Sequence, residues 1–157
     1  MLEGSFDQYS IPQQEKQTSP ISMIVGTSVL TLLLPAAAIA LLELLDQIEF
    51  GSESRWLISG MLSSLTIISI LLISGLYLIG FLKSDNQKMT SGIYLIALSG
   101  INLLRRFHNL NNQLEMNNEL GYWGDLSWFE FMQWPQTHEQ LELAFLGIII
   151  GALIMKK

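Results

Sequence analysis

The side chains able to do acid–base or metal chemistry are few in this chain, and they are bunched. His108 and His138 are its two histidines, and it has no cysteine. His108 follows Arg105 and Arg106, a basic set that could bind an anionic lipid headgroup or, more simply, anchor a helix end at a bilayer surface. The acids stand mainly in two stretches: Glu43, Asp46, Glu49 and Glu53, then Glu115, Glu119, Asp125, Glu130, Glu139 and Glu142. The first group has oxygen ligands enough for a hard cation. A calcium loop, however, places its ligands at alternate positions around a glycine, whereas Glu43, Asp46 and Gln47 follow a helical spacing. That spacing describes a solvated helix end. A haem held between membrane helices takes histidines from inside the spans, and both histidines lie outside the apolar cores. No Ser-His-Asp order, G-x-S-x-G, H-E-x-x-H, phosphate loop or dinucleotide fingerprint is present. No catalytic residue, metal site or cofactor is therefore expected.

The elements that must position these groups are marked by where charge stops. Ile21–Leu42, Leu57–Leu82, Met89–Leu104 and Leu143–Met155 contain no Asp, Glu, Lys, Arg or His. Only 14% of the residues are charged and 50% are hydrophobic, with a mean hydropathy of +0.38. A soluble domain carries about a quarter charged residues. Twenty-two helical residues at about 1.5 Å each cover roughly the 30 Å hydrocarbon core. The expected fold is all-α: a polytopic integral membrane protein with a four-helix transmembrane bundle and a short interfacial helix before the last span. The formal charge of −6 argues against nucleic acid as a partner. The first run is too long for the apolar part of a signal peptide and follows an acidic segment, so it is expected to remain as a span.

Residues 1–19 read as a flexible polar tail, and 20–157 as one transmembrane helical domain with spans near 20–45, 56–82, 89–107 and 138–156. Ser19-Pro20 predicts a capped helix start. Pro35 removes a backbone hydrogen bond in mid-span and frees the Thr31 carbonyl, which predicts a kink, a candidate hinge, and a role for the Thr31 hydroxyl in easing that carbonyl. Gly51-Ser52 breaks the chain and Trp56 marks the next boundary. On helix 2, Ser59, Ser63, Thr66 and Ser74 share an arc flanked by Gly60, Ser64 and Gly75, which predicts close helix packing in preference to a polar path.

Helix 3 is expected to leave the membrane and run to about Glu119, with Leu103, Phe107, Leu110 and Leu114 as its apolar stripe and Asn109, Asn111, Asn112, Asn117 and Asn118 facing water. Gly121 should end it. In the extramembrane segment 108–137, Ser127 with Glu130 predicts a capped interfacial helix that Pro135 stops, with Trp123, Trp128, Phe129 and Trp134 anchoring a partner or the interface. Thr137 with Gln140 would open helix 4, whose Ala144, Gly147 and Gly151 form a small-residue face.

Four spans place both termini on one side, with Lys16, Lys83, Lys88, Lys156 and Lys157 inside and Arg55, Arg105 and Arg106 outside. A rival three-span arrangement lays helix 3 in the interface. The expected function is that of a non-catalytic accessory or assembly subunit of a larger membrane complex, in contact with lipid and with other subunits or a second copy. Two alternatives stand beside it: a passive channel or small carrier lined by the helix 2 hydroxyls with Pro35 as gate, and a lipid-modifying enzyme using Arg105, Arg106, His108 and acids of the late loop at the bilayer surface. Charge-free spans weigh against ion-coupled transport, which usually keeps an ionisable group in the membrane.

Overall fold

The structure, a computed structural model, describes residues 18–49, 54–121, 123–133 and 135–156, with the side chains of 47, 54–56 and 135–140 left aside. Residues 1–17, the Gly51-Ser52 break and Trp134 lie outside the described residues, as do the side chains of Trp56, Thr137, His138 and Gln140. Every regular element among the described residues is helical: α1 (Pro20–Thr31), α2 (Leu33–Glu49), α3 (Ser54–Leu78), α4 (Asp85–Leu120), α5 (Trp128–Met132) and α6 (Pro135–Met155).

Ser19 caps α1 as its sequence demands, accepting a hydrogen bond from the Ser22 N–H at 3.1 Å, with Pro20 in the first turn. The first long helix is not continuous. It breaks at Leu32, whose N–H turns to the Val29 carbonyl at 3.2 Å, and restarts at Leu33. Pro35, which has no N–H to offer the Thr31 carbonyl, accounts for the break. The Thr31 hydroxyl does not ease its own carbonyl as expected; it donates to the Ser28 carbonyl at 2.7 Å, the usual back-bonding of a helical threonine.

α4 spans 36 residues, about 54 Å of helix. Ser84 and Gln87 form a reciprocal capping box at its start, and Gly121 ends it in the left-handed conformation at φ 66°. α6 starts at Pro135, so Pro135 opens this helix where the sequence reading had it stop the preceding turn. A proline in the first turn loses no intrahelical bond, and its fixed φ suits a helix start. Thr137 thus falls inside the helix instead of capping it.

α3 is the centre of the packing. It meets α1 and α2 on one side and α4 and α6 on the other, while α4 and α6 form the most extensive pair. A Cβ on Gly26 of α1 would lie 2.8 Å from the Leu78 Cβ, and Gly75 of α3 faces Leu30, so α1 and α3 run antiparallel and cross closely. A Cβ on Gly151 of α6 would lie 2.8 Å from the Gly92 carbonyl oxygen, and Gly147 lies against Ser99. α4 and α6 are therefore antiparallel as well. Small residues at both crossings let the backbones approach closely.

Two apolar clusters form. Ile70, Ile73, Leu95 and Ile154 are buried where α3, α4 and α6 meet. Leu110, Leu114, Phe131 and Leu141 are buried at the far end, beneath α5. By length and composition two helical stretches are sufficient to cross a membrane, Pro20–Asp46 and Leu57–Leu78. The apolar part of α6, Leu141–Met155, is shorter, and α4 mixes apolar with polar residues along its whole length.

Candidate functional site

The most chemically distinctive region is a polar seam between α3 and α4. Ser59, Ser63 and Thr66 are spaced by four and three, and so are Asn102, Arg106 and Asn109. Both sets span seven residues, about two turns, along one face, so two antiparallel helices bring them opposite one another. The Asn109 amide donates to Ser59 Oγ at 3.3 Å, and the Asn102 amide to Thr66 Oγ1 at 3.2 Å. Between them the Arg106 guanidinium donates to Ser63 Oγ. Further along, Ser69 Oγ and the Tyr94 hydroxyl are 3.2 Å apart.

The α3 hydroxyls also anchor to their own helix: Ser63 donates to the Ser59 carbonyl at 2.9 Å and Thr66 to the Leu62 carbonyl at 2.7 Å. A hydroxyl has one proton and two lone pairs, so each can donate back along α3 and still accept from α4. This arrangement fills the hydroxyl arc with α4 side chains. Ser74, the remaining arc member, donates to the Ile70 carbonyl of its own helix.

The seam is not fully satisfied. Asn102 Oδ1, Ser99 Oγ and Arg106 Nε are buried without a hydrogen-bond partner among the described residues. Ser99 and Asn102 are essentially inaccessible, so each unmet bond carries a desolvation cost. Arg106 is half-buried beside a serine, and among the described residues no carboxylate is bonded to it. His108 is exposed and lies 3.4 Å from the Asn112 amide one turn on, and Arg105 is half-buried. Around the helix, positions 105 and 108 fall about 60° apart on one face, while Arg106, about 100° from 105, turns toward α3.

The second region is the lobe built on the end of α4. The asparagines expected to face water are instead partly buried ties. Asn118 accepts from the Leu126 N–H at 3.0 Å and donates to the Leu126 carbonyl at 3.1 Å, and Asn117 donates to the Gly124 carbonyl at 3.3 Å. Asn111 accepts from the Trp128 indole N–H at 3.2 Å. An amide side chain can pair with both groups of a passing backbone, which is what the irregular 123–127 segment requires.

Ser127 and Glu130 form the expected capping box around α5. The Ser127 N–H and hydroxyl both bond the Glu130 carboxylate, which holds its pKa below the ordinary carboxylate value. Trp128 packs against Phe107 and Phe131, with centroids 6.2 Å apart in each pair. The aromatic residues named as anchors therefore divide. Trp128 belongs to the lobe's interior, while Trp123 and Phe129 are 71% and 76% exposed.

Ser59, Ser63 and Thr66 lie in the seam; Gly75 meets α1; Ala144, Gly147 and Gly151 are buried, with both glycines facing α4. Gly26, Gly92, Ser69, Ser99 and Asn109 take part in these contacts unforeseen. The repeated four-and-three polar spacing on two neighbouring helices could have signalled Asn109. Gly26 carries no comparable signal, since an isolated glycine does not reveal which helix it will meet. Among the described residues no three His, Asp or Glu side chains come together as a metal site. No protein-family model, curated protein or solved structure matches the chain.

Proposed function

We propose that the chain is a four-span integral membrane protein acting as a non-catalytic accessory or assembly subunit of a larger membrane complex. The observation that carries this reading is the uneven use of apolar surface. The most apolar stretch of Pro20–Asp46 has 0% of its residues buried, against 33% for that of Leu57–Leu78. Ser59, Ser63, Thr66 and Gly75 of α3 and Gly147 and Gly151 of α6 are already occupied within the chain. What remains for a partner is the outer flank of α1 and α2, with the exposed Phe129 on the lobe.

The antiparallel contacts support four spans. Lys83, Lys88 and Lys156 fall at the end where α1 begins and α6 finishes, and Glu43, Asp46, Glu49 and the lobe fall at the other. Lysines gathered at one end fit an inner face that also holds both termini. α4 and α6 lie alongside α3, so their polar and short stretches are screened from lipid by partner helices. The channel reading loses its lining, because Asn102, Arg106 and Asn109 occupy the hydroxyl arc.

Purification of the tagged full chain in a mild native detergent, followed by mass spectrometry, tests the proposal. A reproducible partner membrane protein, or a stable self-assembly, is the expected outcome. A chain recovered every time as a lone monomer would refute it.

A further inference from the structure

The flank of α4 turned away from α3 and α6 carries two matched columns. Ile101 and Leu104 are 58% and 72% exposed, large apolar side chains on a helix whose other faces pack against α3 and α6. Four residues after each stands a basic one: Arg105 follows Ile101, and His108 follows Leu104. Positions four apart share a helix face, and a helical side chain leans back over the preceding turn. Each basic group therefore lies over the outer end of an exposed aliphatic one.

The height of the basic pair follows from two helices. The charge-free run of α4 ends at Leu104. Gly147 of α6 lies against Ser99 of the antiparallel α4, so Leu143, where the charge-free run of α6 begins, falls level with Leu103. Both runs reach their limit at one height. Arg105 and His108 rise beyond it by no more than four residues, about 6 Å of helix. A bilayer about 40–45 Å thick around a hydrocarbon core of about 30 Å has a headgroup layer about 5–8 Å deep on each side. The pair stands within that layer, with the aliphatic columns in the hydrocarbon below it.

The donors of this pair suit a phosphate. Residues three apart on a helix have Cβ atoms about 5–6 Å apart, near enough for one phosphate to accept from both. A guanidinium offers five N–H donors in a planar fork that matches phosphate oxygens. Arg105 is engaged within the chain as well, and five donors allow both. The Asn112 amide nitrogen lies 3.4 Å from His108 Nε2. That nitrogen can only donate, so a neutral ring carries its proton on Nδ1, an N–H for a second phosphate oxygen.

We propose that this flank of α4 binds a phospholipid, its phosphate held by Arg105 and His108 and an acyl chain lying along Ile101 and Leu104. This inference rests on the membrane placement proposed above. The full chain is reconstituted into vesicles of equal parts phosphatidylcholine and digalactosyl diacylglycerol with identical acyl chains, one lipid with a phosphate and one without. Flotation with the vesicles is checked first, and the lipid retained after detergent extraction is then read by native mass spectrometry.

The expected result is up to about fivefold enrichment of the phospholipid, the preference that an exposed ion pair supplies. Arg105→Gln combined with His108→Gln should bring the two lipids to equal retention. Arg105→Lys combined with His108→Lys, which keeps positive charge and N–H donors at both positions, should preserve the enrichment. Equal retention by the unaltered chain, an enrichment that survives the double glutamine variant, or its loss in the double lysine variant would overturn the proposal. So would release of the lipid by inorganic phosphate, which would mark a site for the free anion, or a bound protein in place of lipid that the glutamine variant releases. Failure to float would refute the membrane placement itself, whereas floating protein without selective lipid refutes the phosphate site alone.

Discussion

At the scale of single residues, the seam shows how polar side chains in apolar helices are used. Thr66 and Asn102 are both buried and joined by a hydrogen bond. Such bonds between membrane helices average about 0.6 kcal/mol and reach about 1.7. A double-mutant cycle of Thr66→Val and Asn102→Leu, read by reversible unfolding in detergent, should give a coupling in that range; zero coupling would mean the bond does not form. Glu130 gives a second prediction. Its pKa is lowered by the Ser127 backbone N–H and then by the Ser127 hydroxyl. Its support of the α5 start is thus complete above the ordinary value of 4.5 and fades as the pH falls through the lowered one. The Ser127 amide proton shift should titrate with a midpoint below 4.5, and Ser127→Ala should move the Glu130 midpoint back upward. A wild-type midpoint at 4.5 or above would contradict the capping geometry. The capping pair was legible in the sequence because its logic is local. The fate of Asn109, Asn111, Asn117 and Asn118 was not, since an asparagine that ties a distant loop looks in sequence like one facing water.

Among the elements, glycines determine how closely the helices pack. Gly147 faces Ser99 across the α4–α6 contact, whereas Gly100, one residue further along α4, has open space beside it. Gly147→Leu should destabilise the fold by about 1–3 kcal/mol, the usual cost of overpacking a fitted contact. Gly100→Leu should be close to neutral. Comparing the two by detergent unfolding separates a packing effect from a change in helix propensity, and equal effects would contradict the α4–α6 register. The helices themselves were readable from charge-free runs, caps and Gly121, because these are short-range signals. The break at Leu32 was foreseen only as a kink at Pro35. Whether a proline bends a helix or divides it depends on the neighbouring helix, and that information lies outside the segment.

In the whole molecule, the pattern that matters is the segregation of charge by end. The helices bring Lys83, Lys88 and Lys156 to one end and Glu43, Asp46, Glu49 and the lobe to the other. An all-helical architecture was legible from the length and spacing of the charge-free runs. The pairing of α4 with both α3 and α6 was not, because which helix neighbours which is set by side-chain fit over long sequence separations. The lack of cysteine makes the account directly testable by single-cysteine labelling in sealed, oriented vesicles. Cysteines replace Asn86, Lys156, Glu49 and Asp125 one at a time, all exposed positions, and react with a membrane-impermeant maleimide. Four spans predict that Asn86→Cys and Lys156→Cys label together from one side, and Glu49→Cys and Asp125→Cys from the other. Labelling of Lys156→Cys from the same side as Glu49→Cys, or of all four sites from one side, would contradict the four-span account.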